Sequence, residues 1–210
     1  MKPFTYPGNI YIIAAPSGTG KSTLLTRLVA EDRNLVFSIS HTTRQPRSGE
    51  VDGKDYFFVT DREFGALVKA GAFLEWAEVH GHKYGTGRAN LEQLLIAGTD
   101  VVLDVDVVGA ASVKKQLPSA VGIFILPPSY GQLRERLINR GKDSAEVIER
   151  RLRNAREEIR HCLDFDFILV NGDLEACYRE LCLLVSADRL RAYRRRQSIG
   201  KIIESFSDKR

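Results

Sequence analysis

Apolar positions fall along this chain in two rhythms. Short, nearly unbroken runs, NIYIIAA at 9–15, VVLDVD at 101–106, VGIFIL at 121–126 and FDFILV at 165–170, hold almost no interior charge. A strand that is apolar on both sides belongs in a sheet covered on both faces, which is how parallel sheets occur. Between these runs, KSTLLTRLVAEDR (21–33), YGQLRERLINR (130–140), SAEVIERRLRNAREEIRHCL (144–163) and LEACYRELCLLVSADRLRAYRRR (174–196) space leucines and charges at helical intervals. The alternation predicts an α/β fold, a parallel sheet core flanked by helices. It breaks between Lys54 and Gly85, where the strand-like stretches KDYFFV and FLEWAEVHG flank TDREFGALVKAG. Thr60 and Glu63 in that linker have capping-box spacing for a short helix. The region reads as a small, partly antiparallel lobe inserted into the core. A second polar excursion, NRGKDSAE at 139–146, contains Gly141 and predicts a mobile flap between two helices.

The first apolar run ends in AAPSGTGKST, Ala14 to Thr23. Strand, small-residue turn and helix start follow in the order of a phosphate-binding loop. Backbone N–H groups of such a turn surround phosphate oxygens, Lys21 supplies a point charge, and the Ser22 hydroxyl can reach a magnesium ion. The candidate loop comprises Ala15, Pro16, Ser17, Gly18, Thr19, Gly20, Lys21, Ser22 and Thr23, with Ala15 where the pattern asks for glycine. Alanine there costs on the order of 1 kcal/mol if the backbone needs positive φ, and nothing otherwise. VVLDVD is an apolar strand ending in carboxylates; Asp104 and Asp106 fall at the end where open α/β sheets bind ligands, in the manner of a magnesium-facing strand.

Composition narrows the class. The 210 residues are 43% apolar, enough for a core, and the formal charge of +4 permits polyanionic ligands without requiring a nucleic acid. No apolar stretch reaches the roughly 18 residues of a membrane span, and MKPFTYPGN lacks the layout of a signal peptide, so the expectation is a soluble, cytoplasmic protein without membrane partners. Cys162, Cys177 and Cys182 form no paired framework and read as plain buried or half-buried thiols. His41, His80, His82 and His161 read as loop or surface residues. The basic stretch RLRAYRRRQ (189–197) lacks interleaved aromatics on one side and reads as a solvated face rather than a nucleic-acid site.

The reaction is selected by the middle of the chain. In SISHTTRQPRSGEVDGKDYFFV, Arg44 and Arg47 flank Pro46, which biases Gln45 to an extended shape. Two guanidiniums so placed can clamp a phosphate, with the Tyr56 hydroxyl nearby. FLEWAEVHGHKYGTGR adds Glu75 on a strand and Tyr84 in a glycine-flanked turn. With SHTTRQPRSGEVDGKDYFFV, FLEWAEVHGHKYGT, LDVDVVGA and RGKDS followed by RRL, the chain resembles guanylate kinase from about Gly8 to Arg189.

That resemblance implies a P-loop nucleoside monophosphate kinase-like fold and transfer of a phosphoryl group from ATP to GMP with Mg2+, in purine nucleotide metabolism. It implies a domain at 8–189 (core 8–38 and 87–189, GMP lobe about 39–86, lid about 139–146) and a basic tail at 190–210. It further implies that Ser40, Arg44, Arg47, Tyr56 and Tyr84 hold the GMP phosphate and that Glu75, Thr86 and Asp106 read the guanine. Ala15 to Thr23 would take the ATP phosphates, Ser22 and Asp104 the metal, and Lys21, Arg44, Arg136, Arg140 and Arg151 the charge of the migrating group. Chemistry supports Glu75 independently: a carboxylate accepts from both N1–H and N2–H₂ of guanine, whereas adenine offers an acceptor at N1. No general base is needed, because the attacking phosphate oxygen is already ionised. Besides Ala15, the chain departs from the family's usual pattern at Val108, where glutamine is frequent, and at Gly172, where an aspartate is frequent. The alternative expectation is a guanylate-kinase-like domain that binds proteins and no longer catalyses. Oligomeric state is left open between monomer and homo-oligomer.

Overall fold

The computed structural model describes residues 8–79, 81–141, 144–196 and 199–207. Its strands are β1 (Ile10–Ala14), β2 (Leu35–Phe37), β3 (Ser40–Thr42), β4 (Phe57–Phe58), β5 (Phe73–Val79), β6 (His82–Gly87), β7 (Asp100–Asp104), β8 (Val121–Leu126) and β9 (Phe167–Val170). Its helices are α1 (Lys21–Glu31), α2 (Asp61–Lys69), α3 (Arg88–Ile96), α4 (Val107–Gln116), α5 (Tyr130–Asn139), α6 (Ala145–Ile159), α7 (Leu174–Arg189), α8 (Ala192–Arg195) and α9 (Gly200–Ser205), with one 3-10 turn at Cys162–Asp164.

Five strands form the parallel sheet, in the order β2-β7-β1-β8-β9. Alternate side chains of its central strands go to opposite faces. Tyr11, Ile13 and Val102 pack with Leu24, Leu25 and Leu28 of α1 and with Leu181 and Val185 of α7. Ile10, Ile12, Val101 and Leu103 pack with Leu91 and Leu95 of α3 and with Ala110 and Val113 of α4. Burying both faces is what the unbroken apolar runs require. Since the chain goes to one side of β1 for β2 and β7 and to the other for β8 and β9, the order of travel reverses beside β1. The carboxyl ends of the strands there are where doubly wound sheets hold ligands.

The lobe holds four strands in the order β4-β3-β6-β5, with β3–β6 and β5–β6 antiparallel and β3–β4 parallel. Only two of these were expected. Ser40–Thr42 is too short to show a period, and Tyr84 sits on β6, paired with Thr42 and Ala77, rather than in a turn. The turn lies earlier, at Gly81, whose φ is 78°. α2 begins with the expected capping box, Thr60 accepting from the Glu63 N–H at 3.2 Å and Glu63 accepting from the Thr60 N–H at 2.7 Å. Leu74 of β5 is buried in the α3/α4 layer, which ties the lobe to the core.

The expected flap is bounded by the end of α5 and by Ser144, which caps α6 through the Val147 N–H; Lys142 and Asp143 lie outside the described residues. His80 does too. His41 is neither loop nor surface: on β3 its ring lies 4.8 Å from that of Phe57 and 5.3 Å from that of Phe73, and burial pushes its pKa down. The three cysteines are free thiols, Cys177 buried and the others half-buried.

The basic stretch after α7 also departs from expectation. Asp100 and Asp188 are buried at the amino edge of the sheet. Arg194 donates to Asp188 at 2.8 Å and also to Asp100, and Arg189 donates to Asp100 and Asp32, each at 2.7 Å. Asn9 and the Tyr11 hydroxyl donate to Asp188 at 2.9 and 3.1 Å, and Arg191 pairs with its other oxygen at 2.9 Å. A basic run reads as solvated because Asp32 and Asp100, 157 and 89 to 94 positions earlier, are invisible to it.

Candidate active site

β1 delivers the chain to the small-residue loop at the carboxyl edge of the sheet. Gly18 and Gly20 adopt φ of 92° and 100°, a region only glycine enters without strain. Space tightens the requirement: a Cβ on Gly18 would lie 2.8 Å from Leu137 Cδ2, and one on Gly20 2.5 Å from Asn171 Nδ2. Ala15 instead packs its methyl against the α1/α7 core, a use glycine would not serve. Gly20 is the N-cap of α1 and offers no side chain to cap it, so the first N–H groups of the helix are left for an anion.

Lys21 opens α1 and places its ammonium on the carboxylate of Asp104, at the end of β7. Ser22 follows it, and both line a cleft of about 660 Å³ together with the loop, Asp104, Asp106, Arg136 and Arg140. Among the described residues no group of three or more His, Cys, Asp or Glu side chains could hold a metal. A magnesium ion needs no such cage, being held usually by one or two protein oxygens with substrate phosphates and water completing the shell. The hard oxygens of Ser22 and Asp104, on facing elements beside the loop, fit that description.

The three expected arginines converge on this cleft by different routes. Arg136 spreads its guanidinium over the carbonyls of Thr19, at 3.2 Å, and Asn171, at 2.8 Å. It braces the loop from α5. Arg151 of α6 donates to the Ser17 hydroxyl at 3.4 Å. Arg140, at the C-cap of α5, is exposed along the rim. Two residues here escaped sequence reasoning. Asn171, buried beyond β9, donates to the Thr19 carbonyl at 2.7 Å and supports the loop from below. Glu158 lines the same cleft; burial raises its carboxyl pKa, Lys21 draws it down and Asp106 adds to the rise. Its spacing from Arg151, i to i+7 on one helical face, is the signal that could have found it.

A second cavity of about 330 Å³ opens against the lobe, lined by Ser40, Tyr56, Thr86, Asp104 and Val105 among others. β-sheet register brings Ser40 opposite Thr86, and Thr86 opposite Glu75. Thr86 donates its hydroxyl to Glu75 at 2.6 Å. Burial is the main cause holding the Glu75 carboxyl above its ordinary range; Thr86 opposes it and the charge of Asp106 adds to it. Asp106 caps α4 by accepting from the Gly109 N–H at 2.7 Å. The rings of Tyr56 and Tyr84 lie 6.0 Å apart, with the Arg44 guanidinium 5.4 Å from the Tyr56 ring. Arg44 is held by Glu50, and Arg47 is exposed with its backbone N–H on the same carboxylate. All eight residues expected on this side therefore belong to the lobe or to the strand end facing it.

Of the two other departures, Val108 is 74% exposed and lines a separate groove behind α4, away from the lobe-side cavity. Gly172 has room for a side chain, since a Cβ there would meet only Pro128 at 3.6 Å.

Comparison with known proteins identifies the family and the fold. The family model described as Guanylate kinase matches residues 7–188. A guanylate kinase of Neisseria gonorrhoeae is 51% identical over 198 residues, covering 94% of this chain and 97% of its own. One from Shewanella violacea is 50% identical over 189 residues, covering 89% and 90%. The crystal structure of guanylate kinase from Anaplasma phagocytophilum superposes with a TM-score of 0.69 at 36% identity, covering 90% of each chain. With the family model matching nearly the whole chain and relatives about half identical to it, the chain belongs to the guanylate kinase family.

Proposed function

We propose that this protein transfers the γ-phosphoryl group of ATP to GMP, giving ADP and GDP. One observation carries the reading: the loop-side cleft and the lobe-side cavity share Asp104 and Val105 as a common wall. A nucleotide on each side of that wall would bring donor and acceptor phosphates together at the carboxyl ends of β1 and β7.

In this account Ala15 to Thr23 hold the ATP phosphates, with N–H groups of the loop and of the α1 start as donors. Ser22 and Asp104 hold Mg2+, whose chemistry is to neutralise and orient phosphate oxygens. Lys21 exchanges Asp104 for phosphate when the nucleotide enters. Ser40, Arg44, Arg47, Tyr56 and Tyr84 fix the GMP phosphate, and Glu75, Thr86 and Asp106 select guanine. Both of Glu75's oxygens are needed, one accepting from Thr86 and both facing a base edge rich in donors. Arg136, Arg140 and Arg151 stabilise negative charge spread over the migrating group, a role in which a single arginine is worth about 10³–10⁵ in rate in related systems. Closure of the lobe, 39–86, and of the lid, 139–146, over the core would exclude water that otherwise competes with GMP. Purine nucleotide metabolism and a cytoplasmic setting belong to the same proposal; among the described residues no helix is long and apolar enough to cross a membrane.

The test is ADP release in the presence of magnesium with GMP, AMP, UMP or no acceptor. ADP formed only with GMP is the expected result. Turnover without acceptor would indicate a hydrolase. Silence with every acceptor would revive the protein-binding alternative, which no feature of the loop favours.

A further inference from the structure

Glu50 has no expected part in handling GMP, yet it organises two residues that do. Its two carboxylate oxygens accept from Nη2 of Arg44 at 2.8 and 2.9 Å, and Oε2 also accepts from the backbone N–H of Arg47 at 2.7 Å. The local sequence builds this ring. The Glu50 N–H returns to the Arg47 carbonyl at 3.0 Å, closing a turn whose third residue, Gly49, has φ of 90°. That is the φ a type II turn demands there, and nothing lies within 4 Å of a Cβ on Gly49, so glycine serves conformation and not space. The second guanidinium nitrogen of Arg44, Nη1, is pinned to the Gln45 carbonyl at 2.8 Å. Arg44 and Glu50 keep only 11% and 21% of their side-chain surface exposed, unlike a pair waving in solvent. The Arg44 hydrogen bond pulls the Glu50 carboxyl below its ordinary range, and the Arg47 N–H adds to the effect.

We infer that Glu50 is a positioning residue for the acceptor phosphate, holding Arg44 and the Arg47 turn in the clamp geometry before GMP arrives. The inference rests on the guanylate kinase reading and deepens it. Two arginines three residues apart repel one another, and each loses rotamer freedom on gripping a phosphate. A carboxylate that straddles one guanidinium and the backbone of the other residue removes both obstacles at once. The Arg44 guanidinium so held lies 5.4 Å from the Tyr56 ring, itself 6.0 Å from that of Tyr84, and the phosphate is proposed to sit beside them. The competing view is that Glu50 merely occupies the anion site and must be displaced. The two views predict opposite signs, because a displaced carboxylate weakens GMP binding whereas a positioning one strengthens it.

The experiment compares the full-length wild type with Glu50→Gln, Glu50→Ala and Glu50→Asp in the ADP-release assay, varying each nucleotide at saturating levels of the other. For Glu50→Gln and Glu50→Ala the KM for GMP rises about tenfold or more while the KM for ATP stays within about twofold, as expected when only the phosphate clamp loosens. Glu50→Asp recovers part of the loss. Guanosine, which has no phosphate, inhibits wild type and variants with equal potency, a result that general damage to the lobe would not give. An unchanged KM for GMP, a lowered one, or parallel loss of guanosine binding overturns the inference. Should Glu50→Ala lose its cooperative thermal melt, Glu50→Gln, which keeps the volume and one acceptor, carries the test. A wild type unable to phosphorylate GMP would defeat the underlying reading instead, and is measured first.

Discussion

Replacing Glu75 by glutamine inverts half of the proposed guanine contact without changing its size. Thr86 donates to Glu75 at 2.6 Å, a bond the amide oxygen can keep. The amide NH₂ is then turned to the base edge, donor against donor. Hydrogen bonds to charged groups contribute about 1.5–3 kcal/mol each, so losing the one that the amide NH₂ displaces costs about 1.5–3 kcal/mol. At 1.4 kcal/mol per decade this is roughly 10–10²-fold in kcat/KM for GMP. ADP release with GMP and AMP at fixed ATP measures it, with inosine monophosphate, lacking the 2-amino group, expected to lose about tenfold with the wild type. A folded Glu75→Gln variant whose kcat/KM for GMP stays within about fivefold of wild type would refute the reasoning, because no single bond of this class is so small when buried. pH supplies an independent arm. Burial raises the Glu75 pKa, and GMP needs the ionised form, so its affinity is complete above that raised pKa and is lost as pH falls through it. The loss therefore begins at higher pH than for a free carboxylate, and Glu75→Gln removes that limb of the profile. Folding runs the other way: the folded chain holds this proton more tightly than the unfolded one, so the stability tied to Glu75 is full below the unfolded pKa and declines as pH rises towards the folded one.

Lys21→Met should lower kcat by at least about 10²-fold with little change in thermal melting, since it removes a positioned charge from the reacting phosphates and frees Asp104 to solvent. Gly20→Ala should cost about 1–3 kcal/mol in urea unfolding and raise the KM for ATP, through its positive φ and the Asn171 amide in its path. Arg194→Ala should destabilise by about 3–5 kcal/mol by leaving Asp100 and Asp188 buried with too few partners, while KM and kcat hold, the network being at the sheet edge opposite the nucleotides. Val108→Gln should leave the KM for GMP unchanged, since the exposed side chain faces the groove behind α4; a clear fall would mean that α4 turns on binding.

The core was legible because its signal is local. VGIFIL became β8 with the expected bounds, and the AAPSGTGKST turn met the glycine conformations its pattern implies. α3 and α4 are short and weakly amphipathic and leave no clear period, and α7 ends at Arg189 although the helical spacing of charges and leucines continues to Arg196. The sequence of the lobe shows two strands and not four, because β3 is too short for alternation to show and the glycines of β6 read as a turn. At the site, residues whose types advertise chemistry were found: lysine, the arginines, Glu75. Those that act by supporting others were not. Asn171 lies 152 positions from the carbonyl it holds up, and Glu50 looked like one more charge in a polar loop. His41 was misplaced for the reverse reason, a polar ring spent as an aromatic one between two phenylalanines.

The Asp100 and Asp188 cluster also bears on how the protein is born. Asp100 opens the interior strand β7, yet its partners Arg189 and Arg194 lie 89 and 94 positions further along the chain. A nascent chain halted before them carries the whole nucleotide machinery and a carboxylate with no cation to meet it. Completion of this edge of the sheet thus waits on synthesis of the stretch that carries both arginines. Prematurely terminated products, though they contain every residue of the site, should fail to accumulate as folded, nucleotide-binding fragments.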